Sequence, residues 1–225
     1  MAQRTYDDSC GAALAMDAVG ERWSMLVVRE LLLGPKRFSD LRAGLPNASP
    51  NVLSQRLKEL EASGLLRHVK LGPPASVSAY KLTDSGRQLE PILLELSRWG
   101  SRISHRPEKG MSTDAFMLML KALYFPPEGS RFDARIRIRV NGDQFTVVVT
   151  PQAIDVSRSG AGTVDVEVTG DVLALWDLIF SGETVPESLA SERITVEGDA
   201  GLAAEFFTLF SVAPPAVLSP VPVGG

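Results

Sequence analysis

Apolar residues in the first hundred positions recur at helical spacing between sharp breaks. Residues 10–19, CGAALAMDAV, predict a small-residue helix ended by Gly20. Residues 21–33 carry Trp23, Leu26, Val27 and Leu31 with apolar neighbours around most of the circumference, and Gly34 and Pro35 stop the run. A helix apolar on most sides is a buried one, so this helix is predicted at the centre of the first core. Lys36, Arg37 and Phe38 form a short extended link, and Ser39 is placed to cap a helix over 40–45 that Pro46 closes. The next stretch, 49–63, sets Leu53, Leu57 and Leu60 at i, i+4 and i+7. Asn51, Ser54, Gln55 and Lys58 fall on another face, flanked by Arg56. Ser49 can accept from the free first-turn N–H groups, Pro50 takes the position where its missing N–H costs nothing, and Gly64 supplies the left-handed end. The prediction is a short, well-capped helix that packs by one face. Its other face shows amides, hydroxyls and cations, which can bond base edges and phosphates in a major groove.

Two helices joined by a tight polar turn, the second opening Ser-Pro, follow the helix-turn-helix order. Residues 65–71 and 76–82 are β-like flanks around Gly72, Pro73, Pro74 and Ala75, which predicts a hairpin. Directly after the displayed helix, a hairpin is a wing. Arg67, His68, Lys70, Ser76 and Ser78 are the side chains it offers to phosphate or a minor groove. Thr83 caps a long helix predicted over 84–105, with a stripe of Leu89, Ile92, Leu93, Leu96, Trp99 and Ile103 and with Pro91 either kinking it or lying near a tolerated bend. That stripe fits a seat on its own core or a contact between subunits.

The polar stretch 106–112 marks a domain boundary. Beyond it a helix is predicted over 115–125, capped by Thr113 or Asp114, followed by strands over 131–140, 144–150, 153–157 and 163–169, with Asn141 and Gly142 as a hairpin turn. Gly170 and Asp171 open a helix over 172–182, residues 181–191 connect, 194–197 is a short strand, and Gly198 and Asp199 open a last helix over 200–210. Arg135, Arg137 and Arg139 alternate with Ile136, Ile138 and Val140, so one sheet face is buried and one is wet. Asp165 and Glu167 are expected on a wet face. The Pro- and Gly-rich tail 211–225 is expected to be disordered. The fold class expected is α+β in two domains, 9–105 and 112–210.

Composition alters this picture in one respect. Residues 1–110 hold 16 Lys+Arg and 12 Asp+Glu, so 16 − 12 = +4, while 111–225 hold 7 and 15, so 7 − 15 = −8. The basic half is the nucleic-acid candidate. A single cysteine excludes an internal disulfide and fits a reducing, cytoplasmic setting. No apolar run reaches the roughly 18 to 20 residues of a membrane span, and the first ten residues have no signal-peptide core.

The stretches Gly20-Glu-Arg-Trp23, Arg29-Glu30-Leu31, Gly34-Pro-Lys-Arg-Phe38-Ser-Asp-Leu41, Ser49-Pro-Asn-Val-Leu53-Ser-Gln-Arg-Leu57, Glu59-Leu60-Glu61, Gly64-Leu65 and Tyr80-Lys-Leu-Thr83, with Cys10 before them, resemble HxlR-type winged-helix regulators, relatives of the MarR group. The resemblance covers about residues 9 to 104. It implies a homodimeric, sequence-specific transcription factor, often a repressor, on a palindromic double-stranded DNA operator. It also implies that Ser49, Asn51, Ser54, Gln55 and Arg56 lie at the major groove and that Lys36 and Arg37 lie near the backbone. Ser39, Lys58 and the wing residues complete the expected DNA set. Some members of that family sense oxidants through a cysteine at the position of Cys10. Here Gly11 follows where the family pattern has proline, and Asp7 and Asp8 oppose a thiolate, so a buried, inert cysteine is the competing reading.

The stretches VDVEVTGDVLALWDLIFSGE and SERITVEGDAGLAAEFFTLF make residues 112–210 resemble a sterol-carrier-protein domain. That likeness implies an apolar tunnel for a hydrophobic molecule, here a small effector. Phe116, Met117, Met119, Leu120, Leu123, Trp176, Ile179, Phe180, Phe206, Phe207 and Phe210 are its candidate lining, and each is equally a core residue. Catalysis has no footing: with His68, His105 and Cys10 as the only histidines and cysteine, no zinc, nucleophile or phosphate-loop motif forms. No cofactor or metal is expected. The reading is a ligand-responsive regulator. The alternatives are a hydrophobic-ligand carrier whose winged helix binds protein, and a redox regulator acting through Cys10.

Overall fold

The computed structural model describes residues 5–72, 76–102, 110–158 and 162–212. The chain divides into two compact units, Met1–Leu93 and Leu94–Gly225.

The first unit begins with α1 (Gly11–Val19) and α2 (Ser24–Leu32), then α3 (Phe38–Gly44) and α4 (Pro50–Ala62). The hairpin β1 (Leu66–Leu71) and β2 (Val77–Leu82) follows, then α5 (Asp84–Arg87) and α6 (Glu90–Gly100), which crosses the unit boundary. Val27, Val28 and Leu31 of α2 meet Leu41 of α3, Leu53, Leu57 and Leu60 of α4, and Leu66 and Leu82 of the hairpin in one core. Three local expectations change. Helix α2 starts at Ser24, because Trp23 is left-handed at φ +80° and breaks the run from residue 21. Arg37, not Ser39, precedes α3, and its backbone N–H donates to Asp40 Oδ2 at 3.0 Å, so Ser39 lies inside the helix. The long helix is two: Thr83 caps α5 as expected, and Pro91 sits in the first turn of α6 rather than in a kink. Proline cannot donate to the preceding turn but fits a first turn. Ile103, His105, the hairpin tip 73–75, most of the 106–112 linker and the tail from 213 lie outside the described residues.

The second unit opens with α7 (Thr113–Ala122), capped by Ser112, whose hydroxyl accepts from the Ala115 N–H. Its sheet comprises β3 (Ala134–Val140), β4 (Asp143–Thr150), β5 (Ala153–Ser157), β6 (Val166–Gly170) and β7 (Ile194–Gly198), in the order β5-β4-β3-β6-β7. Only the β3–β6 pair is parallel. Asn141 and Gly142, both at positive φ, make the tight β3–β4 turn. Helices α8 (Val172–Phe180), α9 (Val185–Ala190) and α10 (Ala200–Phe207) complete the unit. Asp171 and Asp199 cap α8 and α10 as expected. Helix α9 lies inside the expected connector, where Thr184 and Glu187 cap each other's backbone N–H groups.

Ile136, Ile138, Val140, Phe145, Val147 and Val149 are fully buried on one sheet face. On the opposite face Glu167 is buried rather than wet, because Arg137 and Arg139 close over it. Arg158, directly after β5, ties the start of α7 to the β3–β4 turn through Asp114 and Asp143.

Candidate nucleic-acid interface and ligand cleft

Helix α4 is held at both ends and along one face. Ser49 Oγ accepts from the Val52 N–H at 3.4 Å, and Pro50 occupies the first turn. Leu53, Leu57 and Leu60 are at most 1% exposed, so the helix cannot rotate without emptying the core. At its far end Gly64 (φ +71°) turns the chain into β1, and the Thr83 hydroxyl donates to the Gly64 carbonyl at 2.6 Å. Glu61 adds a second tie to the hairpin, accepting from His68 N–H at 3.1 Å and lying 2.9 Å from His68 Nδ1. That ring contact holds the Glu61 carboxyl below its ordinary value. His68 also packs on Tyr80 at 4.2 Å between ring centres. The Lys36 and Tyr80 backbones exchange hydrogen bonds of 3.0 and 2.8 Å, an isolated antiparallel bridge that ties the link before α3 to the hairpin.

This frame leaves Asn51, Gln55 and Lys58 exposed on α4 and Ser54 half-buried. Gln55 Nε2 donates to Glu59 Oε1 at 2.7 Å, a surface bond that water or a base can replace. Ser39, Ser49, Ser76 and Ser78 are exposed, as are Arg37, Arg67 and Lys70. Lys70 faces Ser78 across the hairpin and Arg67 faces Lys81, so these two cations project from opposite faces of the ribbon. Arg42, in the last turn of α3, is a further exposed cation that periodicity alone did not single out. Arg37, Arg42, Lys58, Arg67 and Lys70 have no carboxylate partner among the described residues.

Two expected DNA contacts are placed otherwise. Lys36 is 8% exposed, and its Nζ lies 2.6 Å from Oε2 of the fully buried Glu30, whose Oε1 accepts from Arg29. Its charge is spent inside the unit, since an unpaired Glu30 there would be costly. Arg56 is half-buried, with Nη1 3.3 Å from Glu21 and 2.5 Å from Glu59. These are charge contacts without good hydrogen-bond angles, because the same Nη1 and Nε have no hydrogen-bond partner. Cys10 is exposed, not buried: it caps α1, with Sγ accepting from the Ala13 N–H at 3.4 Å.

In the second unit a cleft of about 320 Å3 opens between α8, α9 and α10. Leu178, Ile179, Val185, Pro186, Ala204, Phe207 and Phe210 form its apolar wall, with Glu183, Thr184 and Thr208 as its polar members. Of the expected lining, Ile179, Phe207 and Phe210 border this cleft. Phe116, Met117, Met119, Leu120, Leu123, Trp176, Phe180 and Phe206 do not. The helical period marks an inward face but cannot separate residues against the sheet from those along a cleft. Helix α7 in particular is buried on nearly every side, which fits a central packing role. No helix of the described residues is long and apolar enough to cross a membrane.

Residues 18–108 match the family model of the HxlR-like helix-turn-helix, and residues 126–211 match the SCP-2 sterol transfer family. The chain is 45% identical over 87 residues to the HTH-type transcriptional regulator YvaP of Bacillus subtilis, covering 39% of this chain and 81% of that protein. It is 40% identical over 92 residues to YkvN, an HTH-type transcriptional regulator of the same organism, covering 41% of this chain and 78% of the relative. A solved structure of the HTH-type transcriptional regulator ytcD shares 31% identity, with a TM-score of 0.39, over 43% of this chain and 99% of that one. The chain therefore belongs to the HxlR-like helix-turn-helix family of transcriptional regulators, and carries after that unit a segment that matches the SCP-2 sterol transfer family.

Proposed function

We propose that this regulator acts as a homodimeric, cytoplasmic repressor that places two α4 helices in successive major grooves of a palindromic operator. The observation that carries this reading is the division of α4. Leu53, Leu57 and Leu60 are buried, while Asn51, Gln55 and Lys58 are left at the surface beside cations without carboxylate partners. Asn51 and Gln55 are suited to read adenine edges, with Ser49 and Ser54 as further hydrogen-bonding groups. Arg37, Arg42, Lys58, Arg67 and Lys70 supply phosphate contacts, with Ser39, Ser76 and Ser78 as neutral ones. Arg56 serves mainly to brace α4 through Glu21, and Lys36 is left out of the DNA set.

Dimer formation is supported by α6, where Ile92, Leu96 and Trp99 are 50%, 49% and 64% exposed at i, i+4 and i+7. A regular apolar stripe left open to water is the mark of an interface. In this reading a hydrophobic molecule in the α8–α10 cleft is the effector, coupled to DNA affinity by about 1–3 kcal/mol. Exposure of Cys10 at a helix N-terminus favours a second reading, in which an oxidant acts there. Unchanged oxidant sensitivity of DNA binding in Cys10→Ser would remove it.

Fluorescence anisotropy with DNA flanking the gene, across a salt series, tests the main reading. Asn51→Ala and Gln55→Ala are each expected to cost about 1–3 kcal/mol on the preferred sequence and little on random DNA. Equal losses on both would show that α4 does not read bases.

A further inference from the structure

The polar side chains at the rim of the α8–α10 cleft present hydrogen-bond acceptors. The Thr184 hydroxyl donates its proton to Glu187 Oε2 at 2.7 Å, and the Thr208 hydroxyl donates to the Glu205 carbonyl at 2.7 Å. Thr184 Oγ1 also accepts from the Glu187 N–H and keeps one lone pair to offer, while Thr208 Oγ1 keeps two. Glu183, the third polar residue, is a carboxylate.

Charge points the same way. Residues 171–212 contain eight Asp and Glu and one cation, Arg193, so 1 − 8 = −7. Arg193 is already shared between Glu183 and Asp177, the latter at 2.8 Å, and these bonds hold its guanidinium above its ordinary pKa. Among the described residues, an incoming carboxylate would find no uncommitted side-chain donor at this rim and several like charges. An ammonium would find three acceptors and would balance the net −1 of Glu183, Asp177 and Arg193. The cleft volume, about 320 Å3, lies near the small end of ligand sites.

We infer that the cleft takes a compact apolar molecule ending in an ammonium group and discriminates against apolar carboxylates. The inference rests on the reading of this cleft as the effector site and names the chemistry of its ligand. Ala204 lies on the cleft wall, so Ala204→Trp fills it, whereas Glu183→Gln changes only the rim.

Isothermal titration of the full chain with n-decylamine, n-decanol and n-decanoate, each below its aggregation concentration and near neutral pH, separates the cases. Decylamine is expected to bind about tenfold more tightly than decanoate, with decanol between them. The preference is expected to shrink in high salt and in Glu183→Gln, and Ala204→Trp is expected to abolish binding. Decanoate binding as well as decylamine, with both lost in Ala204→Trp, would overturn the charge inference while leaving an apolar effector site. No binding by any of the three would overturn the effector reading together with the inference. Decylamine binding that survives in a folded Ala204→Trp protein would reveal attraction to an acidic surface and would also overturn it.

Discussion

Replacing Lys36 by methionine separates a structural cation from a DNA-binding one. Lys36 Nζ lies 2.6 Å from Oε2 of Glu30, whose side chain is fully buried. Breaking a buried ion pair by removing one partner costs roughly 3–5 kcal/mol when the other charge is left alone. Glu30 is not left alone here: Arg29 approaches Oε1 at 2.8 and 3.2 Å, from a side chain that is 23% exposed. The loss therefore falls mainly on Oε2, and about 2–3 kcal/mol is expected, close to the value of a charge-assisted bond. Lys36→Met combined with Glu30→Gln should recover a good part of it, because no uncompensated buried charge remains. Hydrogen exchange of α2 and α4 peptides in the full chain, across a urea series, measures the change within the first unit. DNA anisotropy supplies the second readout: folded Lys36→Met should keep its salt slope, whereas loss of a phosphate contact lowers that slope by about one. Unchanged exchange together with a reduced slope would refute the buried-pair account.

Three further outcomes are expected. Gly86→Ala would drive a methyl group into the Leu65 carbonyl oxygen, with Leu82 Cδ2 only 3.1 Å away, and should cost at least about 1–3 kcal/mol in thermal or urea unfolding. The Thr184 hydroxyl and N–H hold the Glu187 carboxyl below its ordinary value of 4.5. That contribution to α9 is present above the ordinary value and lost as pH falls through the lowered one, so α9 amides should lose protection on acidification, and Glu187→Gln should flatten the change. Leu96→Asp on the exposed α6 stripe should shift the protein toward monomer in sedimentation velocity, while a wild-type protein that is already monomeric would remove the dimer proposal.

What could be read along the chain was what is decided within a few residues. Ser49, Pro50, Gly64 and the Leu53–Leu57–Leu60 stripe each carry their own signal, and α4 follows from them. The strand alternation of Arg135 to Val140 behaves in the same way. Helix α9 was also legible, since Thr184 and Glu187 stand at capping-box spacing, but a connector was expected from the polar, proline-containing run. Charge placement was not legible. Whether Lys36 faces phosphate or Glu30 is settled by how α2 ends and how the link crosses Tyr80. Arg56 meets Glu21 from a distant part of the sequence, and Glu167 disappears beneath two arginines of a neighbouring strand. Each of these is a tertiary choice between water and a partner, which periodicity does not encode. For the same reason, the residues bordering the cleft were mixed with residues of the core.

The most direct test of the account is selection of bound duplexes from a random DNA library by the full chain, repeated with Gln55→Ala. Enrichment of a palindrome whose half-sites lie about one helical turn apart, with altered base preference in Gln55→Ala, is the expected result. Enrichment of no sequence, or of one whose base preferences are untouched by changes at both Asn51 and Gln55, would contradict the claim that α4 is the reading helix.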